Sequence, residues 1–172
     1  GVLKSKNEII IFIDSDLVVV NNFLINHVDK LYFYWEKFNK NCFTYGSVIN
    51  TSNFEKPEEE NHKITDISFA YFATGNVAIS RELLLKVGLF DSSFSLYGWE
   101  DLELGERLKK YGTKLIKCPK AKGFHWHPPF QCEQINSLVE KESERAKMAL
   151  IFFKKHPNLR VRFIIQLTFL HR

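Results

Sequence analysis

Cysteine is scarce in this chain. Three residues of 172, at positions 42, 118 and 132, form no Cys-x-x-Cys pair and are odd in number. That excludes a complete disulfide framework and favours a reducing compartment, with the cytoplasm expected. Long apolar runs are lacking too. The longest are Ile9–Ile13, Leu17–Val20 and Val161–Leu170, the last interrupted by Arg162, Gln166 and Thr168. None approaches the roughly 20 residues that cross a bilayer as a helix. Residues 1–13 carry Lys4, Lys6 and Glu8 and no small-residue cleavage site, so they do not read as a signal peptide. The chain has no internal repeat, no low-complexity tract and no nucleic-acid recognition motif. Its aromatics do not interleave with Lys and Arg along a strand, which sets nucleic acid aside as a partner.

What is present is globular in character. Hydrophobic residues make up 45% and charged residues 26%, and 16 Phe promise a core of large rings. The length suits one domain. The chain opens Gly1-Val2-Leu3, and a strand-like run starts by Glu8. A strand that near a terminus expects sheet neighbours, so the sequence reads as a piece of a longer protein.

Charge is laid out unevenly. Residues 145–172 hold seven Lys or Arg and no Asp or Glu, while the other 144 hold 17 basic and 20 acidic residues. A basic tail on a slightly acidic body points to an anionic partner such as a membrane surface or another subunit, or to a solvated helix end.

Periodicity gives an alternation of strands and helices. Asn7–Asp14 holds five consecutive apolar residues, the pattern of a parallel strand covered on both faces. Leu17–Val20 reads as extended. From Phe23 to Phe38 apolar residues recur at spacings of three and four, a helix capped by Asn21 or Asn22 and ending near Asn39. Phe43–Ile49 reads as a strand, and Thr51–Asp66, with Glu55, Glu58, Glu59 and Glu60, as a polar loop expected to order when substrate binds. Ser68–Ala73 reads as extended and Thr74-Gly75-Asn76 as a turn. Arg81–Val87 is a short helix ended by Gly88, and Trp99–Tyr111 a helix ended by Gly112. Lys114–Cys118 is a strand stopped by Pro119, Gly123–His127 a short strand, and Gln134–His156 a long helix ended by Pro157. Such alternation argues layered α/β or α+β architecture.

Three clusters carry chemistry. Asp14-Ser15-Asp16 ends an apolar strand, where i and i+2 share a face, so two carboxylates converge on one point. Carboxylate oxygens suit Mg²⁺ or Mn²⁺, and strand carboxyl ends are where open α/β sheets bind ligands. Asp and Ser are also ordinary turn residues. Gly98-Trp99-Glu100-Asp101 opens a helix. Its acids suit the helix N-terminus, and equally offer a general base beside Glu103. Trp99 presents a face for a sugar ring, or simply packs in the core. In His125-Trp126-His127 the alternate imidazoles share one side of a strand and could meet one metal.

Together these stretches resemble the catalytic half of a family 2 glycosyltransferase of the GT-A fold. The matching residues are Ile9–Asp16 (IIIFIDSD), Thr74–Phe90 (TGNVAISRELLLKVGLF) and Gly98–His125 (GWEDLELGERLKKYGTKLIKCPKAKGFH). The resemblance implies a Rossmann-related mixed sheet flanked by helices, present as a partial domain over residues 1–130, followed by a basic helical extension over 131–172. It implies a metal-dependent, inverting hexosyltransferase that moves a sugar from a nucleotide-sugar, with UDP the expected carrier, in polysaccharide biosynthesis. Asp14 and Asp16 then hold Mn²⁺ or Mg²⁺ and the nucleotide, with Asp16 the more direct ligand. His125, after Pro119-Lys120-Ala121, is a further ligand, and His127 lies two residues beyond the match. Asp101 is the base, Glu100 hydrogen-bonds the acceptor, and Trp99, Gly75 and Asn76 line the sugar pocket. The acceptor is a carbohydrate or a lipid-linked sugar, with peripheral membrane contact expected of the basic end. The family's nucleotide-binding N-terminal half is absent, which leaves an uncovered sheet edge. A nucleotidyltransferase of related fold and a non-catalytic carbohydrate- or metal-binding module are the alternative readings.

Overall fold

The structure, a computed structural model, describes residues 1–59 and 70–168. The His62 end of the acidic loop, Ser68 of the expected extended run, and Phe169 and Leu170 of the tail lie outside the described residues.

Five strands form one mixed sheet: β1 (Ile9–Ile13), β2 (Leu17–Val19), β3 (Cys42–Thr51), β4 (Asn76–Ser80) and β5 (Lys114–Trp126), in the order β1-β4-β3-β5-β2. Among the described residues, only β3 and β5 run parallel; the other pairs are antiparallel. Helices α1 (Phe23–Phe38), α2 (Arg81–Val87), α3 (Glu100–Lys110), α4 (Ile135–Lys155) and α5 (Leu159–Ile164) complete the fold.

The two faces of the sheet follow from strand alternation. On one face, Phe43 of β3 and Val77 and Ile79 of β4 pack with Phe72, Leu83, Leu84, Leu104 and Leu108, all buried, from the α2 and α3 side. On the other, Cys42 meets Leu31 and Trp35 of α1. Helix α1 buries Phe23, His27, Leu31 and Trp35, one residue per turn, and ends at Asn39 in the left-handed conformation. Its N-cap is Asn22, whose side chain makes no cap hydrogen bond.

Four sequence expectations are corrected. The Ile-rich strand β1 is an antiparallel edge strand paired only with β4, and its side chains are partly or largely exposed. A continuous apolar run signals capacity for burial, not the direction of the neighbour. Strand β4, fully buried, begins at Asn76, the last residue of the expected turn, and fills the stretch up to α2 for which the sequence pattern predicts no strand. The described part of Ser68–Ala73 is not a strand; it bends so that Phe72 enters the core. Pro119 does not end a strand. Pairing runs from Cys42↔Lys114 to Gly46↔Cys118 and resumes at Ser47↔Lys122, so Pro119–Ala121 form a bulge inside one long β5. A bulged residue has no ladder partner, so the missing N–H costs nothing there.

All three cysteines are free thiols, Cys42 and Cys118 buried and Cys132 exposed. Burial pushes the Cys42 thiol up to about 11, so it is an apolar filler, not a nucleophile. Among the described residues, no helix is long and apolar enough to cross a membrane.

Candidate active site

Strand β1 ends at Ile13, and Asp14-Ser15-Asp16 form the turn into β2. The turn is pinned from two sides. The Asp14 N–H donates to the Gly75 carbonyl at 3.4 Å, and the Trp126 N–H donates to the Asp16 carbonyl at 3.1 Å. The carboxylates therefore converge by turn geometry and not by alternation along a strand. His125, paired with Leu17 across β5 and β2, reaches Asp16, with Nε2 3.0 Å from Oδ1. One ligand atom from each of Asp14, Asp16 and His125 lies within 4.8 Å of the others. Two carboxylate oxygens and one imidazole nitrogen form a mainly hard donor set, which fits Mn²⁺ or Mg²⁺. Both Asp side chains are exposed and His125 is partly exposed, so a bound ion would keep open positions for a substrate.

His127 does not join this cluster. Its ring lies against that of His125, with centroids 4.3 Å apart, while its Nε2 sits 3.2 Å from Asn50 Oδ1.

Gly75 brings the metal motif close to the rest of the site. A Cβ built there would lie 2.8 Å from Asp14 Oδ2, so any side chain would push the carboxylate aside. One residue earlier, the Thr74 N–H donates to Asp101 Oδ2 at 3.3 Å. The Thr74-Gly75 turn thus touches both acidic clusters.

Asp101 lies in the first turn of α3. It also accepts the Leu102 N–H at 2.7 Å. Burial, and then the charge of Glu100, push its carboxyl up to about 6, against the backbone N–H donors of Leu102, Thr74 and Asp101 itself. A carboxylate with that value is ionised at neutral pH and basic enough to take a proton. Glu100 has a buried Oε2 with no hydrogen-bond partner among the described residues. An unsatisfied buried acceptor is costly, and one lining a cleft is poised for a donor on a ligand.

One cleft of about 1220 Å³ joins the two clusters; Asp14, Gly75, Trp99, Glu100, Asp101 and His125 all line it. Asn76 does not. Its Nδ2 donates to the carbonyls of Ser47 and Ala121 at 3.1 and 2.9 Å, and its Oδ1 accepts from His27 Nε2 at 2.8 Å. His27 Nδ1 is 2.8 Å from Thr44 Oγ1, and burial holds this imidazole below its ordinary value. The Asn76 side chain is therefore turned into the sheet and away from the cleft it was expected to line. Its full set of internal partners is the physical reason.

Trp99 is partly buried and clamped. Its indole N–H donates to the Arg145 carbonyl at 2.8 Å, the Arg145 guanidinium lies 4.6 Å above its ring, and Phe152 stacks beside it. Residues of the C-terminal segment, including Arg145, Arg160, Phe163 and Gln166, also line the cleft. The sequence offered no signal for them, because the segment carries no motif and its partners lie 46 or more residues away.

Comparisons with known proteins find glycosyltransferases. Residues 59–129 match a family described as the N-terminal domain of galactosyltransferase. Hyaluronan synthase of Pasteurella multocida is 41% identical over 76 residues, 44% of this chain and 8% of that protein. Chondroitin synthase of Escherichia coli is 32% identical over 87 residues, 51% of this chain and 12% of that protein. These matches take in a small fraction of the length of the curated relatives. Among solved structures, GalNAc-T7 with UDP, GalNAc and Mn²⁺ superposes with a TM-score of 0.55 over 75% of this chain and 29% of that one, at 17% identity. The last match shows the GT-A glycosyltransferase fold.

Proposed function

We propose that this chain carries the metal-binding and base-bearing part of an inverting, metal-dependent glycosyltransferase of family 2 type. It transfers a hexose from a nucleoside diphosphate-sugar, with UDP the carrier, to a hydroxyl of a carbohydrate or lipid-linked acceptor during polysaccharide synthesis. The observation that carries this reading is one cleft lined both by Asp14 and His125 of the three-ligand cluster and by a carboxyl raised to about 6. The related synthases and the fold shared with GalNAc-T7 support the same class.

Asp14, Asp16 and His125 would hold the divalent ion, which supplies Lewis-acid neutralisation of the departing diphosphate. Asp101 takes the proton of the acceptor hydroxyl as that oxygen attacks the anomeric carbon. Glu100 Oε2 accepts a second hydroxyl of the acceptor and fixes its orientation. Attack on the face opposite the leaving diphosphate inverts the anomeric centre. A non-catalytic metal or carbohydrate module would gain nothing from a raised carboxyl beside an unsatisfied one.

The test is donor turnover by the full-length protein with and without Mn²⁺ and acceptor. Metal-dependent transfer with an inverted product is expected. Full activity in excess EDTA, or a retained anomer, overturns the assignment. Lys147, Lys154 and Arg162, exposed in the basic end, support the reading of a cytoplasmic protein held at the membrane face.

A further inference from the structure

The C-terminal segment, without a recognisable motif, sits against the most strained part of the site. Trp99 has φ 73°, in the left-handed region that a bulky residue rarely occupies. Gly98 before it has φ 99°. Such conformations are costly for a non-glycine residue and persist only where the surroundings over-determine them. The surroundings here are largely those of α4. Arg145 accepts the Trp99 indole N–H on its carbonyl and lays its guanidinium over the ring. Phe152, fully buried, stacks beside the same ring. Glu144 Oε2 accepts the Tyr97 N–H at 3.3 Å. The Arg145 stem fills the space over Gly98, where a Cβ would come within 3.2 Å of Cγ.

Trp99 is the N-cap residue of α3, and the Glu103 N–H donates to its carbonyl at 2.8 Å. Its backbone therefore sets where the first turn of α3, with Glu100 and Asp101, points. We propose that Arg145 is a positioning residue for the transfer step: from α4 it clamps Trp99, and through Trp99 it fixes Glu100 and Asp101 toward the cleft. The extension after residue 130 is then a working part of the site and not an appendage. This inference rests on the transferase reading for the role of Asp101, but the clamp itself is a matter of geometry.

A side-chain variant removes the guanidinium and the stem while leaving the Arg145 carbonyl in place. In the full-length protein, R145A is expected to lower kcat by about 10²-fold, the cost of an ångström-scale misplacement, with a small change in donor KM. Its pH–rate profile should also change. Loosening the turn admits water to Asp101 and moves its ionisation from about 6 toward the ordinary carboxylate range, so the acid limb shifts to lower pH. The charges that share the cleft with Asp101 are Glu100, Asp14, His125, Arg145 and Arg160. R145A removes one of them, and loss of that cation alone would move the limb to higher pH, so a shift to lower pH reports the loosened turn. R145K, which keeps the stem over Gly98 and the positive charge, should recover part of kcat. Amide exchange of residues 99–103 should quicken in R145A while that of β4 stays slow. An acid limb that stays in place, or exchange over 99–103 equal to wild type, overturns the proposal. If the wild type transfers no sugar, the transferase reading fails, and the exchange measurement still decides whether Arg145 holds the turn.

Discussion

At the scale of single residues, the site separates two carboxyl environments. Asp14 and Asp16 are exposed, whereas Asp101 is half-buried beside Glu100 and its carboxyl is raised to about 6. Because the folded value lies above the unfolded one, folding is favoured by the proton. The stabilising effect is present at low pH and is lost as pH rises through about 6. At neutral pH the ionised Asp101 is a burden of at most about 3 kcal/mol, from roughly two pK units at 1.36 kcal/mol each. D101N should therefore lose about 10²–10⁴-fold in transfer rate while melting at or above the wild-type temperature at pH 7. The gain in melting temperature should vanish below about pH 4, where the wild-type carboxyl is protonated in both states. Calorimetry across pH beside the rate profile reads both effects; a destabilised D101N at pH 7 contradicts the burial argument. At the metal cluster, D16A removes one of three ligands and the partner of His125. Mn²⁺ should raise the wild-type melting temperature, by the equivalent of about 2.7 kcal/mol at a hundred times Kd, and leave D16A unmoved.

At the scale of elements, loops and turns place the chemistry while the sheet holds them apart. Gly75 is the tightest of these joints, and G75A should weaken Mn²⁺ binding by roughly 10-fold or more, the usual effect of disturbing what orients a ligand. A titration followed by melting shift measures it, and an unchanged affinity would mean that Asp14 finds another rotamer. Elements that follow a local rule were legible in the sequence. Helix α1 announced itself by its four-residue spacing and Asn39, α2 by Gly88, and α4 by Pro157. The acidic motif and Gly-Trp-Glu-Asp were legible as chemistry because their residue types are unusual at strand and helix ends. Strand β4 was not, because Asn-Val-Ala-Ile-Ser is short, holds small residues and is buried on both faces, so no alternation marks it. Pro119 misled because its tolerance depends on a register shift against β3, a non-local fact. Asn76 was read as part of the pocket, yet its partners come from α1, β3 and the bulge, three elements distant in the chain. N76L should expose that dependence. It strands the Ser47 and Ala121 carbonyls and a buried His27, a loss on the order of 2–4 kcal/mol that denaturant unfolding would measure.

At the scale of the whole molecule, the basic end turns out to have partners in its own body. Lys155 pairs with Asp91 at 2.8 Å, Arg160 with Glu106 at 3.0 Å, and His156 with the buried Glu103 at 2.9 Å. Phe152 and Val161 are fully buried, so part of the apolar tail is core and not lipid-facing surface. What is left outside is a narrower set. Leu150, Leu159 and Leu167 are largely exposed, and Lys147, Lys154 and Arg162 are exposed near them in the chain. Three cations at about 1 kcal/mol each give weak attraction to an anionic surface, and inserted leucines add to it. Binding of this kind should be salt-sensitive, because the Debye length falls from about 10 Å at 0.1 M to about 3 Å at 1 M. Sedimentation with vesicles is therefore expected to pull down the protein with anionic lipid at low salt, to fail with neutral lipid, and to weaken as salt rises. L159E should reduce recovery further without touching the cleft, since Leu159 does not line it. Equal recovery in the supernatant with both lipids at low salt would mean that the cations left over after internal pairing face water or another subunit, and that the acceptor reaches the cleft without help from a membrane.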